Sequence, residues 1–560
     1  MRVDLTPRGR LAVTAPFEWK DALKRIPGAR WDAAAKAWSY PATIHAIRNL
    51  KRDLPALDGA AEAFAPVLEL RARAPAAMRS DGHDLPAPAR TRREPWAHQR
   101  RGFTMLRTMP AAFLQWDMGS GKTKPVIDAV ANMEGTPRAL IVCPLNVIPV
   151  WPREFAKNQG NAVIVSPGGT RAEIERYVRR MTVKDKTEAA ARAVRAGRDR
   201  RPVAVVVNYD TVYREPFASW CVKTPWDMIV LDESHRIKSP TGKRSRFLRS
   251  LGPLAPQRYC LTGTPMPHGP LDLFAQYHFL DPSIFGHSYV QFRARYAVLS
   301  GPNKNWIDGY KNLDELRAKM AEIADRVELD DVVELPAGQH EATPVTMASD
   351  QSKAYAEMEA VFITQVQDGT VTASNVLTKL LRLQQIACGF AKDEGGEIRR
   401  FKSNPKADAL IDILTDWPAD EPAVVFCRFH ADLDAIRACA EKVNRPAFEL
   451  SGRPGGQGMS DWQVARGGEV LAVQIDAGSE GVDLTRTRLG IYYSTGFSLG
   501  NYMQSQRRIR RPGQDRGVLY LHLPAAGTVD EYVYDCLTAK QDVVDGVLAV
   551  FKGRGAGGQS

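Results

Sequence analysis

The sequence predicts an α/β protein with two parallel-sheet domains, a small α+β unit ahead of them, and helical insertions. Three observations predict it. Short apolar runs rich in Val, Ile, Leu and Ala alternate with longer helical stretches from about residue 96 onward. The runs fall into two series: 139–143, 203–207, 228–231 and 259–262, then 423–427, 470–475, 489–493 and 518–523. Continuous apolar strands separated by helices are the pattern of parallel sheets covered on both faces. The chain has 560 residues, enough for three or four domains at roughly 100–200 residues each.

In chain order, residues 1–54 form a separate small unit. Leu11 to Thr14 is a strand, and a helical pattern from Trp19 to Ile26 is broken by Pro27-Gly28. Trp31 and Trp38 bracket a turn and are read first as core of this small unit, and 44–50 is a second helix. Residues 55–94, rich in Ala, Pro and Arg, are a linker with some helix. The first α/β domain is expected over 95–282, a mostly helical segment over 283–403, and the second α/β domain over 404–560. A basic helical insertion, 171–201, holds eleven Lys or Arg against five Asp or Glu.

Composition narrows the classes. Apolar residues are 44% and charged residues 25%, which excludes wholesale disorder. No apolar run reaches the ~20 residues of a membrane span. The first eight residues lack the apolar core of a signal peptide, so a cytoplasmic location is expected, bacterial or in a phage-infected host, or nuclear in a eukaryote. Seven scattered cysteines form no CxxC pair, which argues against a zinc module or a disulfide framework. The net charge of +12 attracts polyanions, nucleic acid foremost; ordinary solubility is the plainer meaning.

Three motifs carry chemistry. Trp116-Asp117-Met118-Gly119-Ser120-Gly121-Lys122-Thr123 lies between a strand and a helix. Loop N–H groups and a helix N-terminus can cradle phosphates there, with Lys122 on the β- and γ-phosphates and the Thr123 hydroxyl on magnesium. The common pattern has a glycine where this chain has Trp116. Second, 228–231 ends in Asp232 and Glu233. Asp232 could hold magnesium through water, and Glu233 could orient or deprotonate an attacking water. Third, Arg507, Arg508, Arg510 and Arg511 crowd one window. They are either a solvated basic face or arginines that stabilise transition-state charge on a phosphoryl group. Upstream, Gly478, Gly481 and Asp483 mark a glycine-bearing loop or a tight turn.

Together these residues resemble the superfamily 2 helicase core, and within it the Swi/Snf-like ATPases, over about 94–545. Pro95-Trp96-Ala97-His98-Gln99 looks like the segment whose glutamine reads adenine. Asp117 to Thr123 resembles motif I. Leu140 to Leu145 with Trp151 to Phe155 resembles Ia, and Asn208-Tyr209-Asp210 resembles Ib. Asp232-Glu233-Ser234-His235 resembles II, and Leu261 to Pro265 resembles III. Val424 to Phe429 resembles IV, Gly481 to Leu484 resembles V, and Arg508, Arg511, Gly513 and Gln514 fall on VI. Two departures stand out: Gly496-Phe497-Ser498 replaces Trp-Asn-Pro, and Asp483 replaces an asparagine.

The resemblance implies two RecA-like domains and an ATP-driven, magnesium-dependent motor on double-stranded DNA. Gln99, Met118, Gly119, Ser120, Gly121, Lys122, Thr123, Gly481 and Asp483 would hold ATP, with Thr123 and Asp232 on magnesium. Glu233 would activate water, and Arg508 and Arg511 would complete the site. Pro144, Asn208, Tyr209 and Arg428 would contact DNA, mostly at phosphates. The segment from Ile26 to Asp32 and from Lys36 to Pro41 resembles the HARP domain of annealing helicases, which implies binding of branched DNA, with Lys24 and Arg30 facing phosphate. The expected protein is a monomeric translocase that remodels or re-anneals forked DNA. A strand-separating helicase, an RNA helicase and an inactive DNA-binding scaffold are the competing readings.

Overall fold

The computed structural model describes residues 1–6, 10–26, 29–42, 44–54, 56–133, 137–159, 163–165, 202–300, 306–367, 373–392, 395, 397–453, 458–475 and 482–539. The insertion at 171–201 and Gly481 therefore lie outside the described residues. The chain divides into two compact units, Met1–Val332 and Val333–Ser560.

In the first unit a seven-stranded, all-parallel sheet runs in the order Ala324–Val327, Ala111–Trp116, Gln257–Leu261, Met228–Asp232, Arg138–Cys143, Val203–Asn208, Val163–Val165. Every residue of Ala111–Trp116 and Met228–Asp232 is buried. That is why these strands read as near-continuous apolar runs rather than as alternating ones. Helices such as Thr123–Ala131, Val150–Asn158 and Leu273–Leu280 flank the sheet, and most of their buried apolar residues join one core cluster.

Ahead of this sheet lies a four-stranded antiparallel sheet in the order Arg2–Leu5, Arg10–Thr14, Ala37–Pro41, Arg30–Asp32. Alternation sends Val3, Leu11, Val13 and Tyr40 inward against Leu23, Ile47 and Leu50. Phe64 and Val67 of the helix Ala60–Arg79 complete that core. The stretch read as a linker thus packs on the small sheet and also on the helix Ala97–Thr108. Arg10 Nη1 donates to the Pro253 carbonyl at 3.2 Å, and Arg48 pairs with Glu322 at 3.5 Å. Trp38 is half-buried against the small core, whereas Trp31, read as core from sequence, is 51% exposed. Trp31 lies on the edge strand of this sheet, directly opposite Trp38.

The second unit holds a six-stranded parallel sheet: Gly338–Ala342, Val518–His522, Leu489–Tyr492, Ala423–Cys427, Val470–Gln474, Ala447–Leu450. One face carries Tyr355, Leu383, Tyr502 and Val533; the other carries Leu410, Leu414, Leu433 and Ile436. The segment 283–403 contains the expected helices and also an edge strand for each large sheet, Ala324–Val327 and Gly338–Ala342. The second of these is exposed along its whole length, so it has no apolar run to announce it. All seven cysteines are buried and none is joined in a disulfide.

Candidate nucleotide site

Three neighbouring strands of the first unit, Ala111–Trp116, Gln257–Leu261 and Met228–Asp232, are parallel and end on one side. The loop 117–122, the turn at Thr262-Gly263-Thr264 and the pair Asp232-Glu233 therefore share one edge. Carboxyl ends of parallel strands are where α/β folds place ligands.

Gly119 and Gly121 have φ of 86° and 77°, a conformation that L side chains rarely adopt. A Cβ on Gly121 would also lie 2.3 Å from Gln99 Nε2. Ser120 is buried and its Oγ donates to the Asp117 carbonyl at 2.7 Å. Asp117, Met118 and Gly119 are half-buried in the same loop. Lys122 is buried, with Nζ donating to the carbonyls of Trp116 at 2.8 Å and Asp117 at 3.2 Å. Thr123 opens the helix Thr123–Ala131, whose first N–H groups and dipole favour an anion.

The loop is braced from behind. Gln99 Nε2 donates to the carbonyls of Ser120 at 3.3 Å and Gly121 at 3.4 Å, while its Oε1 accepts from Trp96 N at 3.0 Å. Its amide ties the helix Ala97–Thr108 to the loop. His98 does the same, with Nε2 2.8 Å from the Ser120 carbonyl and its ring edge-on to Trp116. Burial holds the His98 pKa below its ordinary value. Trp116 is fully buried and its Nε1 donates to Asp325 Oδ2 at 2.7 Å. Asp325 in turn pairs with Arg101 at 3.1 Å. Gly102 makes room for the indole: a Cβ there would lie 2.5 Å from the Trp116 ring.

The acidic pair is buried on the neighbouring strand end. Asp232 Oδ2 accepts from Trp151 Nε1 at 3.1 Å and Oδ1 from Glu233 N at 3.1 Å. Glu233 has a left-handed backbone, φ 51°, which turns its carboxylate back to the site. Its Oε2 accepts from Thr262 Oγ1 at 3.0 Å and lies 3.4 Å from His235 Nδ1. Burial and the Glu233 charge push the Asp232 pKa up to about 7. Burial acts on Glu233 too, but His235, Lys122 and Thr262 outweigh it and hold Glu233 low. The Thr123 hydroxyl and the Asp232 carboxylate are hard oxygen donors, the type that magnesium prefers. Two adjacent buried carboxylates also call for a cation. The residues present fit that ion.

In the second unit, Arg508 is buried and its Nη1 donates to the Val482 carbonyl at 3.3 Å. Arg511 Nη1 donates to the same carbonyl at 3.4 Å, and its buried Nε has no hydrogen-bond partner among the described residues. Asp483 is exposed and caps its own turn, accepting from Thr485 N at 3.0 Å and Oγ1 at 2.8 Å. The residues resembling motifs V and VI are thus brought together within this unit.

The expected DNA contacts occupy unlike places. Pro144 is buried at the end of Arg138–Cys143, and its carbonyl accepts from Val147 N at 3.0 Å. Asn208 is half-buried, its Oδ1 accepting from the N–H groups of Asp210 and Thr211. Tyr209 is only 2% exposed and its hydroxyl donates to the Asp232 carbonyl at 2.8 Å. It braces the acidic strand end and offers no surface. Arg428 is half-buried, its Nη1 donating to Gln384 Oε1 at 2.6 Å and its guanidinium 4.2 Å from the Phe497 ring centroid. Lys24 is exposed on the helix Lys20–Arg25, and Arg30 lies in the strand Arg30–Asp32. Sequence reasoning gave no role to His98, Trp151 or Thr262, although each lies inside a motif it had marked.

Comparison with known proteins places the chain in a family. The family model of the SNF2-related domain matches residues 98–391. Protein p41 of Acyrthosiphon pisum secondary endosymbiont phage 1 is 23% identical over 462 residues, 78% of this chain and 94% of that protein. The DNA annealing helicase and endonuclease ZRANB3 of Bos taurus is 24% identical over 423 residues, 70% of this chain but 37% of that protein. Among solved structures, the Sulfolobus solfataricus SWI2/SNF2 ATPase core in complex with dsDNA is 22% identical, covers 85% of this chain and 96% of its own, and has a TM-score of 0.38.

Proposed function

The chain belongs to the SNF2-related domain family of helicase-like, DNA-dependent ATPases, and from that premise we propose a translocase that couples ATP hydrolysis to movement along double-stranded DNA. The observation that carries this reading is the shared strand edge, where a left-handed glycine loop with Lys122 stands beside the buried Asp232–Glu233 pair.

In this mechanism the loop 118–122 and the first turn of Thr123–Ala131 bind the ATP phosphates. Lys122 leaves the carbonyls of Trp116 and Asp117 to meet the β- and γ-phosphates. Thr123 and Asp232 would hold magnesium, which when bound would neutralise phosphate charge. Glu233, kept ionised by His235 and Thr262, accepts a proton from the attacking water or orients it. Arg508 and Arg511 stabilise charge on the transferred phosphoryl group. Gln99 and His98 fix the loop, and Asp483 orders the turn that carries the Val482 carbonyl.

DNA contacts at Asn208 and Arg428 act on phosphates, so affinity is sequence-tolerant and falls steeply with salt. The small N-terminal unit, with Lys24 and Arg30, directs the motor to forks, where it re-anneals or remodels strands. A monomer suffices for each step.

The test is ATP turnover with no nucleic acid, single strands, linear duplex, forks and RNA at one salt concentration, together with strand displacement. Stimulation by duplex, strongest with forks and without displacement, is the expected result. Stimulation by single strands or RNA alone refutes it.

A further inference from the structure

The small N-terminal sheet and the first α/β domain enclose a cleft of about 670 Å³. One wall holds Arg10, Trp31 and Asp32; the other holds Lys223, at the end of the helix Phe217–Lys223, with Thr224 and Pro253. Neither the glycine loop nor the acidic pair lines it.

Trp31 stands in this cleft with 51% of its surface exposed, although Tyr40, in the strand next to it, is fully buried. An edge contact with Trp38, centroids 5.5 Å apart at 61°, fixes the indole while leaving it accessible. Arg10 spans the walls: Nε donates to Ser39 Oγ at 2.6 Å and Nη1 to the Pro253 carbonyl at 3.2 Å. The cleft is therefore held open at a set width by a cation anchored on both sides. Lys223 is exposed on the far wall. Asp32 Oδ1 accepts from the N–H groups of Ala34 and Ala35, which orients its carboxylate.

We propose that this cleft takes one unpaired nucleotide of a branched DNA, its base stacked on Trp31 and its phosphate beside Lys223. The proposal rests on the reading of the chain as a DNA motor and names what a branch adds to that motor's substrate. An accessible aromatic face beside cations is how single strands are held without regard to sequence, because every base has a π-face. Bases within a duplex are stacked on each other and present no free face. The volume lies within the range of small-ligand sites, roughly 300–1,000 Å³, which suits a nucleotide and excludes a duplex. The Asp32 carboxylate would repel a phosphate, so it faces the base end, where it can accept from an exocyclic amine.

The test uses the full chain and forked DNA carrying 5-iododeoxyuridine either in the unpaired arm or in the duplex. Irradiation and peptide mapping should place a crosslink on the peptide containing Trp31 from the arm only. In anisotropy titrations, Trp31→Ala should lower the ratio of fork affinity to blunt-duplex affinity by about tenfold, the cost of one lost stacking contact. Trp31→Phe should restore most of that ratio, and Lys223→Glu, a surface change on the opposite wall, should lower it independently. Ratios unmoved by Trp31→Ala and Lys223→Glu, or arm crosslinks that fall elsewhere, overturn the proposal. So does displacement of the crosslink by free adenosine monophosphate as readily as by the arm, which would make the cleft a mononucleotide site. DNA-stimulated turnover of the unsubstituted chain is measured alongside. Its absence defeats the motor reading alone, whatever the cleft binds.

Discussion

Lys122 and Glu233 differ in what their loss should do. Lys122 binds phosphate and steadies charge that grows in the transition state, so Lys122→Ala should cut turnover by about 10²–10³ and weaken ATP binding. Glu233 acts on water, so Glu233→Gln should lose turnover by roughly 10²–10⁴ while keeping ATP affinity. Steady-state kinetics with a nucleotide-binding titration separates the two; a Glu233→Gln protein with normal turnover removes the assigned base. Tyr209 makes the opposite point. Its hydroxyl is spent inside the fold, on the Asp232 carbonyl. Tyr209→Phe should cost about 1 kcal/mol of stability in denaturant melts and leave DNA affinity unchanged. A large loss of DNA affinity with no loss of stability would restore it to the DNA-contacting set. Spacing in the sequence marked Tyr209 but could not tell an inward ring from an outward one, because both satisfy the same pattern.

At the scale of elements, the legible strands were those buried on both faces. Ala111–Trp116 and Met228–Asp232 are apolar almost throughout because helices cover both sides. Ala324–Val327 and Gly338–Ala342 sit at sheet edges, carry Asp325, Arg326, His340 and Glu341, and read as loop or helix. Yet Ala324–Val327 matters to the site, since Asp325 holds the Trp116 indole that abuts His98. The glycine loop and acidic pair were legible because phosphate chemistry restricts residue type and spacing. The brace behind them was not, because any well-packed set could serve. Gly102 tests that brace. A methyl group there must displace Trp116, so Gly102→Ala should cost about 1–3 kcal/mol of stability. Because Trp116 precedes the loop, the same variant should raise KM for ATP more than it lowers kcat. An unchanged KM would mean that the loop is indifferent to its backing.

Across the whole molecule, each unit holds a histidine whose pKa is pulled well below the ordinary value. Burial first, then Arg249 and His287, bring the His278 pKa down to about 3; burial and His340 do the same for His522. The unfolded chain has ordinary imidazoles. Below their usual pKa of about 6.5 the unfolded state therefore binds protons that the folded state refuses. Stability is fully present above that value and is lost as pH falls toward 3. By pH 5 the linkage amounts to about 2 kcal/mol for each histidine. His522 lies against Tyr492 and Tyr502, and its Nδ1 has no hydrogen-bond partner among the described residues, so it offers the cleaner test. His522→Gln removes the titrating group while keeping an amide that can bond Tyr502. Urea melts at pH 7.5 and pH 5, followed separately for each unit, should show the second unit losing much stability in the unsubstituted protein and less in the variant, with the first unit behaving alike in both proteins. If both proteins lose the same stability in the second unit on acidification, His522 is not the group that makes this unit acid-sensitive.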